Sequence, residues 1–112
     1  MSHDQDLTPT QEQAARKTIL IVEDDEGIGS FLNAAIAQET SYHILLAPNS
    51  KRALEIIQQV KVDLFLLDYL LTPIDGIELY DQLHVYKDHE RTPAIIFTAS
   101  LARIQPQIEQ RN

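Results

Sequence analysis

Three polar stretches, each directly behind an apolar run, hold the side chains best placed to do chemistry. Glu23-Asp24-Asp25-Glu26 follows Ile19-Leu20-Ile21-Val22, Asp68 follows Leu64-Phe65-Leu66-Leu67, and Thr98 follows Pro93-Ala94-Ile95-Ile96-Phe97. Two unit charges about 4 Å apart repel by roughly 4 kcal/mol at an effective dielectric of 20, so clustered carboxylates take up protons or a cation. Carboxylate oxygens with room for water suit Mg²⁺. A carboxylate beside Mg²⁺ can accept a phosphoryl group, because the metal neutralises the incoming oxygens and fixed geometry favours in-line attack. The Thr98 hydroxyl can bond a phosphoryl oxygen. That threonine or the Ala99 backbone N–H would then relay the phosphate's arrival to the segment behind it.

These groups meet only if the apolar runs are neighbouring strands. The branched run Ile19 to Val22 predicts a strand buried on both faces. Ile28, Phe31, Leu32, Ala35 and Ile36 then fall on one face of a helix running to about Glu39. His43 to Ala47 predicts a second strand, with Ala53, Ile56, Ile57 and Val60 as the inner face of a helix capped by Asn49 or Ser50. After the third strand, Asp75-Gly76-Ile77-Glu78 has the pattern of a capping box opening a helix through about Tyr86. Pro93 to Phe97 predicts strand four, with proline tolerated at a strand's start. Strands alternating with helices imply parallel strands, right-handed crossovers and a three-layer α/β sandwich. In the flavodoxin-like order 2-1-3-4, strands one and three are neighbours about 4.8 Å apart, and Glu23, Asp24 and Asp68 share one pocket beyond their ends.

The 112 residues suit one domain, with 44% apolar residues for its core. Residues 1–17 are polar and read as a flexible extension in which Thr8-Pro9 can open a short helix through Ala15; residues 18–112 form the domain. Nine basic against seventeen acidic residues give a net charge of -8, which repels nucleic acid and anionic membranes. No apolar run approaches the roughly 20 residues that cross a bilayer, and a cytoplasmic location is expected. There is no cysteine, and His3, His43, His84 and His89 lack metal-ligand spacing. Gly27 and Gly29 lack the third glycine of a dinucleotide loop, since Leu32 stands there.

Taken together, Ile19 to Asp25, Leu66-Leu67-Asp68-Tyr69-Leu70-Leu71, Asp75-Gly76 and Phe97-Thr98-Ala99 resemble the response regulator receiver domains of two-component signalling, over Thr18 to about Ser100. The resemblance implies Asp68 as phosphoacceptor, Glu23, Asp24, Asp68 and the Leu70 carbonyl as Mg²⁺ ligands, and Thr98 as the switch hydroxyl. By residue type alone Asp25 and Glu23 stay interchangeable, since a one-residue shift swaps them. Glu26 is expected to be a solvated acid in the first turn of a helix. The resemblance also implies a sensor histidine kinase or phosphotransfer protein as partner, and no enzyme activity beyond self-catalysed phosphoryl transfer.

Two departures stand out. Thr72 occupies the place of the family's proline, with Pro73 next, and the sequence stops before the family's fifth strand and its lysine. The domain is therefore expected to lack the fifth strand and helix, leaving strand four as an edge open to homodimerisation or domain swapping. A non-phosphorylated pseudo-receiver that binds partners constitutively is the alternative reading. A phosphohydrolase is a third, because Asp68 to Thr72 is similar to the D-x-D-x-T segment of haloacid-dehalogenase enzymes, although Leu70 replaces the second aspartate.

Overall fold

The computed structural model describes residues 16–98. The short helix expected through Ala15 and the Ala99 N–H lie outside the described residues.

Among the described residues four strands alternate with three helices: β1 Thr18–Val22, α1 Glu26–Glu39, β2 His43–Ala47, α2 Ser50–Ile57, β3 Leu64–Asp68, α3 Gly76–Leu83 and β4 Ala94–Phe97, with a 3₁₀ turn at Lys87–His89. All pairings are parallel and the order is β2-β1-β3-β4, as the flavodoxin-like reading requires. Chain direction across the sheet reverses after β2. Right-handed crossovers therefore put α1 on one face and α2 with α3 on the other. Strand alternation sends Leu20, Val22, Phe65 and Leu67 towards α2 and α3, where they pack with Ala53, Ile56, Ile57, Leu79 and Leu83 as one buried cluster.

Each helix starts where a side chain takes up orphan N–H groups. Asp25 Oδ1 accepts from Ile28 N–H at 2.9 Å, and Asn49 rather than Ser50 caps α2 by accepting from Arg52 N–H at 2.8 Å. At α3 the capping box forms in full: Asp75 Oδ1 accepts from Ile77 and Glu78 N–H at 2.9 Å, and Glu78 accepts from Asp75 N–H at 3.4 Å. α3 ends at Leu83 rather than Tyr86. There His84 places its ring nitrogens 2.7 Å from Tyr80 O and 2.6 Å from Thr92 O, tying the helix end to the approach to β4.

One expected core residue lies outside. Phe31 is 70% exposed, while Ile28, Leu32, Ala35 and Ile36 are half-buried and Gly29 is fully buried. Gly29 faces the sheet, with space for a Cβ against Leu46 and Glu23, so α1 is rotated to bring its smallest residue inward. Phe31, two residues and about 200° further round, then points to solvent.

His89 is 1% exposed, and its Nε2 accepts the Val62 N–H at 3.0 Å. Burial, followed by nearby Lys61, pushes its pKa below 6.5, and burial followed by Arg16 does the same to His43. Because the unfolded chain protonates these rings first, their contribution is complete above about pH 6.5 and is lost as the pH falls below it. Glu23, described below, acts in the opposite direction. Urea unfolding of Glu23→Gln across pH 7.5 to 5 is therefore expected to show a midpoint that falls below pH 6.5. A flat midpoint would contradict neutral, buried imidazoles.

Candidate metal centre

The parallel register carries β1 and β3 to the same level, pairing Val22 with Leu67. The residues that follow are Glu23 and Asp68, 5% and 4% exposed, with Asp24 beside them at the surface. Carboxylate oxygens of Glu23, Asp24 and Asp68 lie within 4.8 Å of one another. Glu23 is held in line because its N–H extends the ladder to Ala47 O at 3.1 Å. Asp68 is fixed by its own turn, with Oδ1 accepting the Leu70 N–H at 3.1 Å.

Glu23 Oε2 accepts one N–H, from Asp25 at 3.2 Å, whereas Oε1 is buried with no partner. Burial is the main reason its pKa is pushed up to about 8; Asp68 pushes the same way, the Asp25 N–H opposes them, and Asp24 adds a smaller push upwards. At neutral pH this carboxyl therefore holds a proton or yields it to a cation. Three carboxyl groups, one with an orphaned buried oxygen, form an oxygen-only donor set that fits a hard divalent ion.

The remaining acids separate cleanly. Asp25 turns away to cap α1, so of the two acids it is Glu23 whose carboxylate lies with those of Asp24 and Asp68. Glu26 is exposed in the first turn of α1, as a solvated acid should be. Thr98 directly follows Phe97, the register partner of Asp68, and its Oγ1 is buried without a hydrogen-bond partner. Leu70 sits in the turn behind Asp68, and the loop beyond contains a cis Thr72–Pro73 peptide bond.

A contact not anticipated from the sequence closes this loop: Gly76 N–H donates to Tyr69 O at 3.0 Å. An Asp-Gly pair ahead of a helix reads as a local cap, and nothing in it signals a partner seven residues back.

Beside the acids, between α1 and the end of β2, lies an open cleft of about 390 Å³ that includes Glu23, Asp24 and Ser30. A second cleft of about 430 Å³ lies at the opposite end of the sheet. It is lined by Lys61, Lys87 and Arg91 against Asp63, Asp88 and Glu90, a balance that selects neither sign of ion. No helix among the described residues is long and apolar enough to cross a membrane.

Comparison with known proteins agrees with this fold. Residues 19–108 match the family model of the response regulator receiver domain. The chain is 38% identical over 81 residues to sporulation initiation phosphotransferase F of Bacillus subtilis, covering 72% of this chain and 63% of that protein. It is 34% identical over 101 residues to a probable cyclic di-GMP phosphodiesterase of Vibrio cholerae, covering 90% of this chain and 22% of that protein. The chain thus spans less than two thirds of either relative. Among solved structures, the chemotaxis response regulator CheY4 of Vibrio cholerae superposes with a TM-score of 0.68 at 20% identity, over 80% of this chain and 76% of that one, a likeness of fold. With a family match over most of its length and the matching parallel sheet, this chain belongs to the response regulator receiver domains of two-component systems.

Proposed function

We propose that the chain is a phosphoacceptor switch that takes a phosphoryl group on Asp68. The observation that carries this reading is the convergence of Asp68 with Glu23 and Asp24 at the strand ends, two of the three buried. Glu23, Asp24, Asp68 and the Leu70 carbonyl are the residues we assign to Mg²⁺, which when bound would neutralise charge on the phosphoryl oxygens. An Asp68 carboxylate oxygen attacks phosphorus, the bond from phosphorus to the donor atom breaks, and the donor leaves with the bonding pair. The Leu70 N–H on Oδ1 orients the carboxylate for that attack. The unpartnered Thr98 hydroxyl is the donor we assign to a phosphoryl oxygen, and the N–H of Ala99, next in sequence, is a second; gaining the Thr98 bond would draw the end of β4 towards Asp68.

The donor we assign is a sensor histidine kinase or a phosphotransfer protein in the cytoplasm, with no catalysis beyond the chain's own phosphorylation. A net charge of -8 argues against direct contact with nucleic acid or anionic lipid. Among the described residues β4 is the outermost strand on its side of the sheet and exposes Ile95 and Ile96 on alternate faces, which makes it the surface we assign to any homodimer.

The test is labelling by a small acyl phosphate or phosphoramidate. With Mg²⁺ the intact protein should gain the mass of one phosphoryl group, lose it to hydroxylamine as an acyl phosphate does, and gain nothing in the presence of a chelator. Absence of any mass gain with Mg²⁺ and donor in excess would overturn the proposal.

A further inference from the structure

Gly76 is buried at the first position of α3, and the reason for a glycine there is space rather than backbone angle, since no glycine of the described residues has positive φ. A Cβ built on it would lie 2.5 Å from Asp68 O, 3.0 Å from Tyr69 Cα and 3.1 Å from the Asp68 carbonyl carbon. All three are backbone atoms, which cannot swing aside as a side-chain end can. The other two described glycines meet nothing comparable: at Gly27 the nearest atom is a side-chain oxygen at 3.3 Å, and at Gly29 a methyl at 3.8 Å.

The contact is also bonded. Gly76 N–H donates to Tyr69 O at 3.0 Å, and one residue later in that turn Leu70 N–H donates to Asp68 Oδ1 at 3.1 Å. Thus the first residue of α3 holds the turn whose next amide orients the Asp68 carboxylate. On its other side the turn is held by Tyr69 N–H donating to Phe97 O at 2.7 Å. Pinned to β4 there, the turn cannot back away as a unit from a push on the Gly76 side, so the push distorts the Asp68–Leu70 backbone itself.

We propose that Gly76 is a positioning residue for the acceptor: lacking a Cβ, it lets the Asp68–Tyr69 backbone seat directly on the start of α3, and that seat sets where the Asp68 carboxylate points. The inference rests on the phosphoacceptor reading of Asp68 for its effect on rate, but its effect on geometry can be read without any label.

Gly76→Ala is compared with Asp75→Ala, which removes the α3 cap while adding nothing against Asp68. Metal-free Gly76→Ala should shift the Tyr69 and Leu70 amide resonances and speed Leu70 amide exchange. With Mg²⁺ and donor saturating, its labelling should be about 100-fold slower than that of the native chain, the scale of loss that a displacement near 1 Å produces. Asp75→Ala should lose stability yet label within a few-fold of native. Native labelling and native Leu70 amide behaviour in Gly76→Ala would overturn the proposal, as would an equal loss in Asp75→Ala. If Gly76→Ala does not fold in buffer, the comparison is made in sucrose, which favours the compact state. Failure to fold there also overturns the proposal, since Gly76 would then serve the whole fold. A native chain that takes no label sinks the phosphoacceptor reading, while the amide measurements still decide the role of Gly76.

Discussion

Asp68→Asn is expected to take up no phosphoryl group from a donor that labels the native chain, at any Mg²⁺ concentration, and the metal-free variant is expected to be more stable than the native protein. Both outcomes follow from the same pocket. The amide keeps an oxygen to accept the Leu70 N–H, so the turn behind residue 68 persists, but the nucleophilic carboxylate is gone. In the absence of metal the native pocket crowds three carboxyl groups within 4.8 Å, and burial, followed by the neighbouring Asp68, pushes the Glu23 pKa up to about 8. Removing the Asp68 charge lifts part of the repulsion among them, a gain on the order of 1 kcal/mol. Intact-mass labelling and urea unfolding without Mg²⁺ check the two halves. Label retained in Asp68→Asn would mean a different acceptor; label lost together with lowered stability would mean that the substitution damages the turn.

The largest expected loss of stability comes from Phe65→Ala. Phe65 is fully buried in β3, with Leu20 of β1 and Ala94 of β4 as register partners. Its ring meets His84 edge-on at 5.7 Å and His89 at 5.7 Å, so it joins the sheet to both the end of α3 and the 3₁₀ turn. Truncating a buried phenylalanine removes its transfer free energy and leaves a cavity, together about 3–5 kcal/mol. Domains of this kind have about 5–15 kcal/mol in total, so much of the margin disappears. The urea midpoint should drop steeply with little change in slope, whereas Phe65→Leu, which leaves a smaller cavity, should cost less than Phe65→Ala. A small shift in Phe65→Ala would mean that the rings around it collapse to refill the space.

Several elements were legible because their causes are local. Period-two and period-3.6 apolar patterns locate the strands and helices, and the Asp75 to Glu78 capping box, spelled out by residues three apart, forms as expected. Placement of Asp68 after an apolar run was equally direct, although β3 in fact includes it as its last residue. By contrast, the side of α1 that turns inward depended on how closely Gly29 could approach the sheet, and this left Phe31 in solvent.

From the chain alone come the identity of the acids, their positions behind apolar runs and the alternation of strand and helix, since each depends on residue type and short spacing. Tertiary structure decided which acids meet. Strand register brings Glu23 beside Asp68 while the start of a helix claims Asp25, and those competing uses differ by two residues of sequence. It also decided that the Glu23 pKa is pushed up, because burial between two strands is absent from an isolated segment. Finally it set the Asp68 backbone against Gly76, a contact across the β3–α3 loop that requires a residue with no side chain. Local pattern names the groups; the electrostatics and close approaches that tune them arise only once distant segments pack together.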